Sequence, residues 1–159
     1  MITRDNVLDH LQCHIQNTGH IIGISTASGI IIKEAFNHNV NLILLSASGL
    51  YRNMGYGSLA AYLPYGNSNE LLEHIGESVI RLNLSNSNAI PIIFGLNASD
   101  PTIDMESYLD FLMKKGYAGI NNWPSLGLID GSFSDMLEKT ELTFEREVDA
   151  IRLAHDKNI

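Results

Sequence analysis

Arg52 stands beside a run of small residues, Ser46-Ala47-Ser48-Gly49-Leu50, and no other lysine or arginine lies between Lys33 and Arg81. A lone guanidinium in such company suits bidentate capture of an oxyanion. The small side chains leave backbone N–H groups open to a phosphate or carboxylate. Ser48, Gly49, Leu50 and Arg52 are therefore the expected substrate-binding residues, although Arg52 also reads as a solvent-exposed turn residue. Asp100, followed by Pro101, reads as a general acid/base or a carboxylate near a metal. It reads equally as an N-cap or Asx-turn residue opening the next helix. Asp130-Gly131 reads as a substrate-orienting carboxylate or as a plain turn. Asn121 and Asn122 are neutral hydrogen-bonding groups, good for orienting a substrate and weak as sole catalysts. The expected catalytic set is Asp100, Asn122 and Asp130.

Several other chemistries find little support. Ser25, Ser46, Ser48 and Ser99 fall near strand ends, but no histidine shares those loops, so a Ser-His-Asp triad is not indicated. No lysine follows Gly49 and Gly55 as a phosphate-binding loop needs, and no Gly-x-Gly-x-x-Gly follows a strand. Cys13 is the single cysteine, which excludes an internal disulfide and a cysteine-based zinc site. His10 and His14 share a helix face at i, i+4, as a metal pair or, more simply, a polar stripe. Trp123-Pro124 reads as a packing lid.

The elements that must carry these residues follow from periodicity. Residues 3–18 put Val7, Leu8, Leu11 and Ile15 on one helical face, with Thr3 or Asp5 as N-cap and Gly19 as stop. Short apolar runs at 20–25, 41–46, 90–96 and 118–121 read as buried strands of a parallel sheet. Helices are expected over 28–38, 70–82, 105–115 and 144–156, with a turn or two at 133–137. The inward residues are Leu71, Leu72, Ile75 and Val79 in the second of these, and Leu109, Leu112 and Met113 in the third. In the last they are Val148, Ile151 and Leu153. Residues 47–68 read as a long loop rich in Gly, Tyr and Asn. Strands alternating with helices imply right-handed crossovers and a parallel sheet, with function in the loops after the strands' carboxyl ends.

Composition bounds the function classes. The chain has 159 residues, 45% hydrophobic and 18% charged, with a net charge of −8. That is one globular domain over 1–159, able to bury roughly 68–70% of its extended surface. The acidic balance argues against a nucleic-acid partner. No apolar run approaches the ~18 residues of a membrane span. Met1 to Gly19 is polar and periodic rather than a signal peptide, so a soluble cytoplasmic protein is expected.

Longer strings carry a resemblance. These are Gly55-Tyr56-Gly57-Ser58-Leu59-Ala60-Ala61-Tyr62-Leu63-Pro64-Tyr65-Gly66-Asn67 and Gly119-Ile120-Asn121-Asn122-Trp123-Pro124-Ser125-Leu126-Gly127-Leu128-Ile129-Asp130-Gly131. With Ser48-Gly49, Ser99-Asp100-Pro101 and the late Glu147-Val148, Ile151-Arg152 and Ala154-His155, they resemble the phosphoenolpyruvate hydrolase-like TIM-barrel family, also labelled TIM-barrel signal transduction protein. The resemblance runs from about Asn6 to His155. It implies a (βα)8 barrel related to phosphoenolpyruvate mutase and isocitrate lyase. In those relatives a Ser-Gly-Leu binds a phosphonate or carboxylate through backbone N–H groups, and Ser48-Gly49-Leu50 matches it. The implied chemistry is hydrolysis or cleavage of a small phosphorylated or carboxylated 2-oxo acid. The alternative is a regulatory or binding module without turnover. Mg2+ is the implied cofactor. The stretch where the wider superfamily carries an Asp pair reads Gly95-Leu96-Asn97, so its ligands stay unassigned. The closer family carries more arginine around the early loop. Leu50 and Tyr56 stand at two such positions, leaving Arg52.

A full barrel needs about 250 residues, and this chain supplies four strands. The expected architecture is thus a partial (βα)8 barrel with open edges. Ile22, Ile24, Ile43, Leu45, Ile92, Phe94 and Ile120 would face an absent opposite layer. The expected partners are a small anionic substrate and either a second copy of the chain or a complementing half-barrel chain.

Overall fold

The computed structural model describes residues 3–63, 65–86 and 89–159. Met1, at the head of the segment read as lacking a leader, and Pro64, within the first family string, lie outside the described residues. The order of elements is α1 (Arg4–Thr18), β1 (Gly23–Ser25), α2 (Gly29–Ala35), β2 (Leu42–Leu45), α3 (Ala47–Asn53), α4 (Ser68–Leu84), β3 (Ile92–Gly95), α5 (Met105–Lys115), β4 (Gly119–Asn121), α6 (Gly131–Glu138) and α7 (Phe144–Asp156). Short 3-10 turns lie at Ser58–Ala61 and Leu126–Leu128. The four strands form one sheet in sequence order, every pair parallel. The chain therefore has an α/β fold that corresponds to part of a βα barrel.

Local chemistry sets the helix ends. Thr3 accepts the Asn6 N–H, Asp104 accepts the Ser107 N–H, and Asn67 accepts those of Asn69 and Glu70. Each satisfies a backbone donor that the first turn leaves unpaired. Gly19 and Gly116 close α1 and α5 at positive φ.

The core lies between the sheet and the helices. Ile43, Leu45, Ile92 and Phe94 are fully enclosed with Ile32 of α2, Leu72 and Val79 of α4, and Leu109 and Leu112 of α5. Each such side chain contributes roughly 1.5–3 kcal/mol by leaving water.

Three expectations are corrected here. First, the side chains expected to face the barrel interior face the helices instead. Ile43, Leu45, Ile92 and Phe94 have no exposed surface, and Ile24 and Ile120 pack against the same core. Ile22 precedes β1 and is 43% exposed. The opposite face carries the register row Ser25, Leu44, Ile93 and Gly119, with Leu42 and Asn121 beside it. It is thinner and less apolar than expected. Apolar residues fill both faces of a parallel strand, so its sequence does not fix which parity faces the helices. Second, residues 47–68 are not a loop throughout. α3 forms because Ala47, Leu50 and Tyr51 share one buried helical face. Third, α7 turns a different face inward. Glu147, Ala150 and Ala154 are buried, and Leu153 is half-buried, while Val148 and Ile151 are about 40% exposed. On α1 only Val7 of the expected apolar face is buried.

Gly95, at the carboxyl end of β3, has carbonyls on two sides. A Cβ there would lie 2.6 Å from the Trp123 carbonyl oxygen and would overlap that of Leu45. Both obstacles are backbone and cannot swing aside. Gly95→Ala is expected to lower stability by about 1–3 kcal/mol or more. Gly57→Ala, at a φ of −73° with nothing near its Cβ, should leave the denaturation midpoint nearly unchanged. Urea unfolding of both variants tests this; equal midpoints would contradict the close approach at Gly95.

Candidate functional site

A cavity of about 230 Å3 opens at the carboxyl ends of the strands, lined by Ser25, Leu44, Leu45, Ser46, Asn121, Asn122 and Trp123. Three strands place these residues. Ser25 ends β1, Ser46 follows β2, and Asn121 ends β4. β3 contributes the bare backbone of Gly95, over which the Trp123 carbonyl passes. Asn121 ties down the loop after it, its Oδ1 accepting the Trp123 N–H at 3.0 Å. The Asn121 carbonyl accepts the Leu96 N–H at 2.9 Å, which extends the β3–β4 pairing to the rim.

Asn122 is held from behind. Its Nδ2 donates to Glu147 Oε2 at 2.8 Å, and the Leu126 N–H donates to Glu147 Oε1 at 2.6 Å. Glu147 comes from α7 and is 1% exposed. The Tyr62 hydroxyl is enclosed without a hydrogen-bond partner. Burial first, and then the Glu147 charge, raise the pKa of that phenol, so it stays protonated and available as a donor.

The remaining expected site residues are placed as follows. Asp100 is buried in the loop after β3. Its Oδ2 accepts from Asn67 Nδ2 at 2.9 Å and Asn69 Nδ2 at 3.0 Å. Its Oδ1 accepts from the backbone N–H of Thr102 at 2.9 Å and the Thr102 hydroxyl at 2.6 Å. Burial works against its ionisation, but the hydrogen bonds from Thr102, Asn67 and Asn69 together outweigh it and hold the carboxyl below its ordinary pKa. Asp130 is exposed at the N-cap of α6 with no side-chain capping bond. Ser48 and Leu50 are buried in α3, and the Gly49 N–H donates to the Ser46 carbonyl. Arg52 is exposed, and its Nη1 donates to Ser58 Oγ at 2.8 Å. A Cβ on Gly49 would sit 3.9 Å from both Arg52 Nη2 and the Ala27 nitrogen, so the guanidinium folds back over Gly49 toward the loop after β1. Of the expected catalytic residues Asn122 lines the cavity, while Asp100 and Asp130, and the expected substrate-binding residues Ser48, Gly49, Leu50 and Arg52, are not among its lining residues.

Glu147 entered the sequence reading only as part of a family string. One signal in the sequence pointed to it. It shares a helical stripe with Ala150 and Ala154, where small apolar residues mark the buried side.

The donors present do not fit Mg2+, which takes carboxylate and water oxygens in octahedral array. The cavity offers hydroxyls and amides, and the oxygens of Asp100 are already engaged. Among the described residues no group of three or more His, Cys, Asp or Glu is placed to hold a metal.

The model of the family described as phosphoenolpyruvate hydrolase-like matches residues 6–159. The tomato (Solanum lycopersicum) ToMV resistance protein Tm-1(GCR237) is 33% identical over 152 residues, covering 96% of this chain and 20% of that protein. A protein of Sinorhizobium fredii described as a candidate transcriptional regulator, y4pA, is 27% identical over 139 residues, 87% of this chain and 22% of its own length. The chain thus spans about a fifth of the length of these relatives.

The Asp100 cluster makes a pH prediction. A carboxyl whose folded pKa is depressed adds stability that is fully present above its unfolded value, near 3.8. That stability is lost as pH falls through the lower folded value. Asp100→Asn places an amide among donors and is expected to destabilise at neutral pH. It should also flatten the loss of stability below about pH 4. Denaturation midpoints from pH 7 to pH 2.5 for both proteins check this; parallel curves would remove Asp100 as a contributor.

Proposed function

The chain belongs to the phosphoenolpyruvate hydrolase-like family, and on that premise we propose that it binds a small carboxylated or phosphorylated 2-oxo acid at the carboxyl ends of the strands. The observation that carries this reading is the cavity of about 230 Å3 lined by Ser25, Ser46, Asn121 and Asn122. It lies where parallel α/β folds hold their ligands. Its size suits a metabolite rather than a drug-sized molecule, for which about 300 Å3 is the lower bound. Asn122 orients the ligand. Arg52, with Gly49 and Ser48 on α3 beyond Ser46, supplies the positive side toward which the anionic group points. Asp100 acts by holding the loop after β3 in place, and Asp130 by starting α6 after the β4 loop. One domain over 1–159 is part of this reading.

Turnover is the finer claim, as hydrolysis or lyase-type cleavage of that acid. A second reading, a binding or regulatory module without turnover, draws on one observation: no charged side chain lines the cavity. The names of the two relatives, a resistance protein and a candidate regulator, agree with it.

Thermal shift with phosphoenolpyruvate, oxalate and oxaloacetate, each with and without Mg2+, tests the binding claim. A ligand at a hundred times its Kd is expected to raise Tm by about 5–10 °C. Asn122→Ala should abolish the shift. No shift with any of the three would sink the small-acid reading. Pyruvate release from phosphoenolpyruvate then separates the enzyme from the binding module.

The sheet edges carry a further part of the proposal. β1 and β4 each pair on one side only within the sheet, and Leu42, Leu44 and Ile93 on the open face are half-buried. Open strand edges and apolar surface of this kind call for a covering partner. The partner proposed is a second half-barrel, from another copy or another chain. Light scattering at micromolar concentration is expected to give a mass above the 17.6 kDa of one chain. A cooperative monomer that binds no hydrophobic dye would refute it.

A further inference from the structure

A larger cavity, of about 530 Å3, lies between α4 and α5. It shares no lining residue with the cavity at the carboxyl ends of the strands. One wall is a stripe of α4, Glu70, Glu73, Glu77, Ile80 and Leu84, spaced by three and four residues so that they share a helical face. The other wall is Phe111 and Lys115 of α5, with Tyr117 beyond its end. This groove already seats one ammonium. Lys115 Nζ lies 2.8 Å from Glu77 Oε1 and 5.3 Å from the centroid of the Phe111 ring. A carboxylate beside an aromatic face is a pairing that suits a cation.

The groove's own cations are spent on Glu77. Lys115 holds that carboxyl below its ordinary pKa by its hydrogen bond and its charge, and Arg81 adds to the effect. Glu70 and Glu73 are in no ion pair among the described residues. Glu73 is held by Tyr108, whose hydroxyl donates to Oε1 at 2.5 Å, while Oε2 accepts no hydrogen bond among the described residues. One end of the groove is therefore acidic and uncompensated, and Ile80, Leu84 and Phe111 make the rest apolar. Tyr117 is a separate sign of a missing ligand. It is 3% exposed, yet its hydroxyl forms no hydrogen bond among the described residues. A buried polar group of that kind calls for a partner. The hydroxyl packs on α4 at Gly76, where a Cβ would overlap it. Glu73 and Ile80 stand three residues before and four after Gly76, so the hydroxyl meets α4 among the residues that line the groove. Burial, and then the charges of Glu73 and Glu77, push the phenol pKa up. It stays protonated, and a neutral hydroxyl accepts as well as donates.

We propose that the groove between α4 and α5 binds an organic ammonium ion, a primary amine carried on a short apolar chain. An ammonium group has three donors and no acceptor. Glu73 Oε2, the Glu70 carboxylate and the Tyr117 hydroxyl are the acceptors that meet them. The chain lies over Phe111 and toward Ile80, which is about 10 Å along α4 from Glu73 at the helical rise per residue. The acidic end excludes a carboxylate head group on the same chain. The site is separate from the cavity at the strand ends and does not rest on the small-acid reading.

Hexylamine, hexanol and hexanoate carry one chain and differ in the charge of the head group, so calorimetric titration of the full chain with each isolates the cation. Hexylamine, protonated at neutral pH, is expected to bind about tenfold more tightly than hexanol, the gain of one charged hydrogen bond. Hexanoate is expected not to bind. On titration with hexylamine, backbone 15N signals should move at Phe111, Lys115 and Tyr117. Glu73→Gln keeps an acceptor for Tyr108 and should lower hexylamine affinity about tenfold. Tyr117→Phe keeps the ring 5.0 Å from that of Phe94, between centroids, and removes only the unbonded hydroxyl. It should lower the affinity several-fold, and it decides the matter even if Glu73→Gln fails to fold. Hexanoate binding as tightly as hexylamine would mean an apolar groove without selection for charge, and would overturn the proposal. So would failure of hexylamine to bind, an affinity unchanged in either variant, or signals that move only at the strand-end cavity.

Discussion

The sheet is built on one alternation. Ile43, Leu45, Ile92 and Phe94 point toward the helices and are sealed there, so their neighbours Leu42, Leu44, Ile93 and Gly95 are committed to the opposite face. Everything at the cavity follows from that parity. Ser25 and Leu44 fall in one register row, and Gly95 pairs with Asn121. A one-residue slip in β2 or β3 would turn Ile43 and Leu45, or Ile92 and Phe94, away from the helices that seal them. Gly95 adds a second requirement. The carbonyls of Leu45 and Trp123 approach it from two sides, which draws the end of β2 and the loop after β4 together over β3. The same exclusion of side-chain volume recurs at Gly76 on α4, against which the Tyr117 hydroxyl packs.

The buried carboxylates act as ties between loops. Asp100 joins the loop after β3 to Asn67 and Asn69 at the start of α4. Glu147 joins the loop after β4 to α7 through Asn122 and Leu126. Charged acceptors make stronger hydrogen bonds than neutral ones, and each oxygen here is met by a donor. Asp100 reads as an acid–base group in the sequence because it follows a strand; in the structure its oxygens accept from Asn67, Asn69 and Thr102. Asn122 lines the cavity and donates to Glu147.

The proposed ligand is a small anion, yet no charged side chain lines the cavity. Arg52 lies on α3, bonded to Ser58, and Glu147 holds Asn122 through its Nδ2. The open edges of β1 and β4 bear on the same point, because strands added there would contribute further walls.

The alternation of strands and helices apart from α3, the parallel sheet, the caps at Thr3, Gly19 and Gly116 and the family were legible in the sequence, because each depends on residues close together in the chain. Hydrophobic period and capping chemistry act over one or two turns. Asn121, Asn122, Ser25 and Ser46 were legible as strand-end groups for the same reason. The parity of the strands was not, since both faces of a parallel strand are apolar and the helices alone decide which is sealed. α3 was hidden by its seven-residue length, too short for a periodic pattern to stand out from a loop. Two partners of Asp100, Asn69 and Asn67, lie 31 and 33 residues away, and that of Asn122 lies 25 residues away. Such pairings form when separate βα units pack side by side, so only the tertiary structure could decide which acids tie the loops and which amide faces the cavity.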